Sequence, residues 1–153
     1  MSAYWSRVID KIEAITFGVS VGDEFKDWAD FWQWCDDKAR NADLLGSPLI
    51  ADRIRELAAP VIVHFRKWTR AENKGEIGAL FPGIEGNRTK RHCMDYHYNG
   101  QHGACDARQF VRCTVPAKPD EYASLARVLE SLGYRLKIVP RITSNMYYWS
   151  YHK

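Results

Sequence analysis

A chain of 153 residues with 46% hydrophobic and 13% aromatic side chains buries well over half of the surface its unfolded form exposes, so it needs neither a metal nor disulfide staples to fold. The net charge of +3 hides an asymmetry: residues 1–65 carry 7 Lys/Arg against 11 Asp/Glu, and residues 66–153 carry 15 against 8. The acidic half suits a basic partner and the basic half suits phosphates, while no apolar run is long enough to span a bilayer.

Residues 3–16 place Trp5, Val8, Ile9, Ile12 and Ile15 at helical spacing, with Gly18 as a stop. Arg7, Asp10, Lys11 and Glu13 interrupt the same stretch. They argue against a secretory leader and for a cytoplasmic protein without membrane contact, whose four cysteines are free thiols or metal ligands.

Ser20 and Asp23 have the spacing of a capping box and open a second helix to about Arg40. Along "DEFKDWADFWQWCDD", Phe25, Trp28, Trp32, Cys35 and Ala39 share one face and read as a core stripe. Trp34 projects nearly opposite, among Asp23, Asp27, Asp30 and Lys38, with Phe31 on its flank. An indole among carboxylates is a candidate hot spot for a basic protein partner or a second copy of the chain, so Trp34, Phe31, Asp27 and Asp30 form a candidate docking set. The alternative is that Trp34 packs beneath the β-rich half.

Ser47-Pro48 begins a third helix, with proline at the first helical position where its missing N–H costs nothing. Pro60 interrupts "RIRELAAPVIVHFRKWTR" and predicts a kink, then a further helix to about Arg70. The glycines of "NKGEIGALFPGIEGN" mark residues 73–90 as an irregular connection between an acidic helical half, 1–72, and a basic β-rich half, 91–153, of a single domain.

Strands are expected at 91–98 and 108–115, the second from the alternation of Val111, Cys113 and Val115. "PDEYASLARVLESLG" is the clearest helix: Tyr122, Leu125, Leu129 and Leu132 make its apolar stripe and Gly133 its stop. A strand at 134–139, parallel to its predecessor, and a terminal strand in "MYYWSYH" complete the chain. The expected fold class is α+β, an N-terminal layer of three to four helices followed by a ββαββ sheet unit.

Cys93, His97, His102 and Cys105 are four possible zinc ligands within thirteen residues. If 91–98 is a strand, Cys93 and His97 stand about 13 Å apart, too far to share a metal without a sharp bend. Asn99-Gly100 predicts a two-residue hairpin turn with His97 opposite His102 and Asp95 on the face of His97. That trio would make a half-formed metal or acid–base site, although a polar hairpin with solvated histidines accounts for the same residues. Phosphate-loop, nucleophile-elbow and zinc-protease motifs are missing, so no catalytic residue and no cofactor is expected.

In the terminal stretch Tyr147, Trp149 and Tyr151 alternate with Met146, Tyr148 and Ser150, and both faces carry rings. Such a strand is central, or an edge that pairs into a homodimer, or a stacking platform for single-stranded nucleic acid. In the last case Arg88, Lys90, Arg91, Arg108 and Arg112 would hold phosphates. The expected function is a non-catalytic interaction protein that docks on an assembly handling nucleic acid, an inhibitor or regulator of the kind phages and mobile elements use against host defence. Direct nucleic-acid binding by the β-rich half is the alternative, and a metal-dependent nuclease built on Asp95, His97 and His102 is the third reading.

Overall fold

The chain is described here from a computed structural model that covers residues 26–150 apart from Lys90 and Tyr98. The helix expected over 3–16, the Ser20/Asp23 pair, Phe25, Lys90 and Tyr151 lie outside the described residues. The observed elements are helices α1 (Trp28–Leu44) and α2 (Pro48–Leu57), strands β1 (Val61–Trp68), β2 (Ile77–Glu85), β3 (His92–His97) and β4 (His102–Asp106), helix α3 (Ala107–Cys113), strand β5 (Thr114–Pro116), helix α4 (Pro119–Ser131) and strand β6 (Leu136–Ile138). Helices first and a sheet after them make an α+β fold. No described helix is long and apolar enough to cross a membrane.

The chain divides into two compact units, one containing the described residues to Pro60 with Leu129–Arg135, the other Val61–Val128 and the residues from Leu136 on. In the first, α1 begins at Trp28 because the Asp27 carboxylate accepts the Asp30 N–H at 2.9 Å. Its buried face is Phe31, Trp32, Cys35 and Ala39. Phe31, Trp32 and Cys35 pack with Ala58, and Trp28, Trp34, Leu57 and Tyr134 partly cover that cluster. Arg135 clamps the same unit: its guanidinium meets Asp36 at 2.8 and 3.1 Å, donates to the Ala58 carbonyl at 3.2 Å and lies 5.8 Å above the Trp32 ring. The two-point match of guanidinium to carboxylate fixes direction as well as distance.

The second unit is a sheet in the order β4-β3-β2-β1-β5, with β6 also on β1. β1 pairs antiparallel with β5 through Arg66–Trp68 and parallel with β6 through Val61–Val63, so its two halves have different partners along one edge. One sheet face carries Val63, Phe65, Ala79 and Phe81, all buried. Phe65 stacks on Tyr122 of α4, with ring centroids 4.5 Å apart.

Five expectations are corrected. Residues 61–68 form strand β1 and not a helix beyond a kink; after Pro60 the run Val61, Ile62, Val63 has the β-branched character of a strand. The glycine-rich stretch is mostly β2, where Gly78 leaves room for Phe110 and Pro82 sits at a register shift between Phe81 and Glu85, a position a strand grants to proline. Residues 107–113 are helical and not a strand, because Asp106 caps them by accepting the Arg108 and Gln109 N–H groups at 2.8 and 3.0 Å. The described part of the terminal segment, to Ser150, makes two 3-10 turns, Ser144–Met146 and Tyr148–Ser150, in place of the strand expected there. β5 and β6 also run antiparallel, since one is antiparallel and the other parallel to β1.

Candidate functional site

Strand alternation puts His64, Arg66, Trp68, Gly78, Leu80, Cys93, Asp95, His97, Gly103, Cys105 and Thr114 on one face of the sheet. The buried polar residues His64, Arg66, Asp95 and Thr114 all belong to this face. They form two separate networks.

In the first, Arg66 donates from Nε to Thr114 Oγ1 at 2.6 Å, from Nη2 to the carbonyls of Thr114 and Val111 at 2.7 and 3.0 Å, and from Nη1 to His64 Nε2 at 2.8 Å. His64 Nδ1 donates in turn to the Val139 carbonyl at 2.7 Å, which assigns the neutral Nδ1–H tautomer. Burial pushes the His64 imidazole below its ordinary value, and the Arg66 charge adds to that. No carboxylate faces Arg66 among the described ion pairs; its acceptors are carbonyls at the end of α3, the negative end of a helix. The arrangement is a structural clamp.

In the second, His97 Nε2 meets Asp95 Oδ2 at 2.8 Å. Asp95 is 3% exposed, and its Oδ1 is buried with no hydrogen-bond partner. A Cβ on Gly103 would stand 2.5 Å from that oxygen, so the carboxylate occupies room that only glycine leaves. Trp68 stacks on the His97 ring with centroids 6.3 Å apart and Phe110 meets it edge-on at 6.4 Å. The hydrogen bond to Asp95 raises the His97 imidazole above its ordinary value; burial opposes this, and the charges of Asp95 and Glu76 add to it. His97 borders an open recess of ≈ 450 Å³ lined with Asn73, Glu76 and Asn99.

The four possible zinc ligands, Cys93, His97, His102 and Cys105, are not brought together. The turn is one residue longer than expected: His97 N–H donates to the Gln101 carbonyl at 3.2 Å, Gly100 takes φ +83°, and Tyr96 pairs with His102. This is a hairpin closed through a left-handed glycine. The one-residue slip puts His97 and His102 on opposite faces, which dissolves the expected Asp95, His97 and His102 trio. Cys93 and Cys105 do face each other across β3 and β4. Burial pushes the Cys93 thiol up to about 12, and raises that of Cys105 together with the charges of Asp95 and Cys93. Among the described residues no three His, Cys, Asp or Glu are placed to hold a metal ion.

The expected docking set, Asp27, Asp30, Phe31 and Trp34, lies at the N-terminal end of α1. Phe31 is 2% exposed and belongs to the core. Trp34 is half-buried, stacks on Phe31 at 6.1 Å and has Lys38 Nζ 5.5 Å above its ring. Asp27 and Asp30 are exposed at the start of α1, where Asp30 Oδ2 also accepts the Lys26 N–H at 3.4 Å. Three apolar residues that sequence reasoning passed over, Leu44, Leu45 and Leu49, are 79%, 83% and 84% exposed. Their signal lies in "DLLGSPL", where apolar residues sit in a helix-to-helix turn.

The basic residues fare differently. Arg88 and Arg91 lie on the β2–β3 connection, Arg108 and Arg112 one helical turn apart on α3, and all four are exposed. The Arg91 carbonyl accepts the Ala107 N–H at 3.3 Å, which sets the connection beside the start of α3. The Tyr148 phenol reaches the backbone N–H of Arg91, and Tyr147 stacks on Trp149 with centroids 4.3 Å apart, both half-buried.

The class defined by these features is an α+β protein with a mixed sheet, one face of which carries the buried polar residues His64, Arg66, Asp95 and Thr114. No protein-family model, curated protein or solved structure matches the chain.

Proposed function

We propose that the second unit binds nucleic acid through phosphate contacts from Arg88, Arg91, Arg108 and Arg112, with Tyr148 and the Tyr147–Trp149 stack beside them. The carrying observation is the bond between the Arg91 carbonyl and Ala107 N–H, which sets the connection bearing Arg88 and Arg91 beside the start of α3, the helix bearing Arg108 and Arg112. Charge follows the same division: the unit made of residues 61–128 and 136–153 has 14 Lys/Arg against 7 Asp/Glu, and the other has 8 against 12. Four single-strand phosphate contacts imply a slope of log affinity against log salt of about −3. The test is fluorescence anisotropy with a labelled single-stranded oligonucleotide across a salt series. Arg91→Gln with Arg108→Gln should weaken binding and flatten the slope by about 1.4. Affinity indifferent to both salt and substitution defeats the proposal.

A protein partner for the acidic unit is the second reading, in keeping with a docking inhibitor or regulator. The exposed Leu44, Leu45 and Leu49 favour it, since clustered exposed leucines mark interaction surfaces. Leu45→Asp with Leu49→Asp should abolish capture of such a partner while leaving oligonucleotide binding intact.

A further inference from the structure

The buried Asp95 takes no part in the Arg66 clamp; its carboxylate bonds His97, and the Cys105 thiol on the facing strand is its other side-chain neighbour. A buried carboxylate is costly, and such groups gather where a neighbour's protonation is being set. That neighbour is His97: its Nε2 is committed to Asp95, the flanking rings of Trp68 and Phe110 hold its plane, and Nδ1 is left for the recess. Glu76 shares the recess. The Trp68 N–H donates to the Glu76 carbonyl at 2.9 Å, continuing the ladder, and Gly78 pairs with His97. Glu76, two residues before Gly78, is therefore a diagonal neighbour of His97 on the same face, with Cα atoms about 7–8 Å apart. That spacing lets a carboxylate and an imidazole reach a phosphate from two sides.

We infer that Glu76 and His97 are an acid–base pair that cleaves single-stranded RNA by internal transesterification, with Asp95 as the positioning residue. The inference rests on the nucleic-acid reading above. A base and an acid suffice when the nucleophile is already part of the substrate, as the ribose 2′-OH is. The Glu76 carboxylate takes the 2′-OH proton and O2′ attacks phosphorus. The P–O5′ bond breaks, and the Nδ1 proton of His97 passes to the leaving O5′. The products are a 2′,3′-cyclic phosphate and a 5′-hydroxyl end. Glu76 ends protonated and His97 neutral, and exchange with water resets both. The raised His97 imidazole keeps the proton on Nδ1 toward neutral pH. Asn73 and Asn99 present amides to the bound nucleotide.

The test pairs a labelled single-stranded RNA with its 2′-O-methyl analogue, both with a chelator present. The analogue reads binding alone and the RNA reads cleavage. Cyclic-phosphate ends should form from RNA only, and His97→Ala or Glu76→Gln should each slow cleavage about 100-fold or more while analogue binding is retained. In Asp95→Asn the alkaline limb of the pH–rate profile should move to lower pH, a change that a merely structural role would not produce. An analogue that binds beside RNA that stays intact overturns the inference and spares the nucleic-acid reading. Failure of the analogue to bind overturns that reading and the inference with it.

Discussion

Replacing Arg66 by Met tests whether the buried clamp holds the sheet to α3. The methionine removes four hydrogen bonds, and three buried acceptors lose the guanidinium: the carbonyls of Val111 and Thr114, and His64 Nε2. Thr114 Oγ1 keeps a partner by donating to the Phe110 carbonyl at 2.6 Å. At about 1–3 kcal/mol for each buried acceptor left unpaired, the gross loss is about 3–9 kcal/mol. Against it stands relief from burying a charge that faces only dipoles, which is worth several kcal/mol. The net expectation is a loss of about 3 kcal/mol. With a urea m-value of about 2 kcal/mol/M, the midpoint should fall by about 1.5 M at unchanged m. Urea unfolding followed by far-UV circular dichroism at pH 7.5 reads this directly. Arg66→Lys keeps the charge without the planar fork and should lose at least half as much. A methionine variant as stable as the parent refutes the reasoning, since the carbonyls would then not need the arginine.

Gly133 has φ +93° and a Cβ there would stand 2.6 Å from Trp28 Cε2, so Gly133→Ala should cost about 2–4 kcal/mol and lower the melting temperature. The His64 imidazole is lowered from 6.5, so below that pH the unfolded chain takes a proton that the folded chain refuses. Stability should therefore fall as pH drops from 7 toward 5, and His64→Gln should flatten that limb of the urea midpoints. His97 is raised and acts oppositely, contributing below pH 6.5 and losing that contribution as pH rises through its folded value; His97→Gln should remove it. Gly103→Ala should displace the Asp95 carboxylate from His97, and NMR titration should find the imidazole titrating at lower pH than in the parent.

Much of the architecture was legible where one local signal had no competitor. Pro48 opened α2 and Gly133 closed the α4 region as expected. Period-3.6 leucines gave α4 because its Leu125 and Leu129 are buried whatever else surrounds them. The elements misread are those where local cues conflict with burial. β2 carries glycine and proline in a strand buried over most of its length, and their fitness depends on Phe110 and on a register shift that no sequence window contains. In "CDARQFVRCTV" the alternation of small apolar residues outweighed an aspartate cap, and the cap prevailed because it satisfies two N–H groups at once.

The candidate site shows the same division. Sequence alone determined that the basic residues crowd into the second part of the chain, that Asp95 and His97 share a strand face, and that the class is α+β, because charge, period and caps are properties of neighbouring residues. Tertiary structure alone decided which of them meet. A single extra residue in the 97–101 turn sent His102 to the far face, a backbone bond from Arg91 to Ala107 set the β2–β3 connection beside α3, and β2 beside β3 brought Glu76 within reach of His97. Strand register is the physical reason: it is set by long-range pairing, and a shift of one residue exchanges the faces on which every side chain of the strand is displayed.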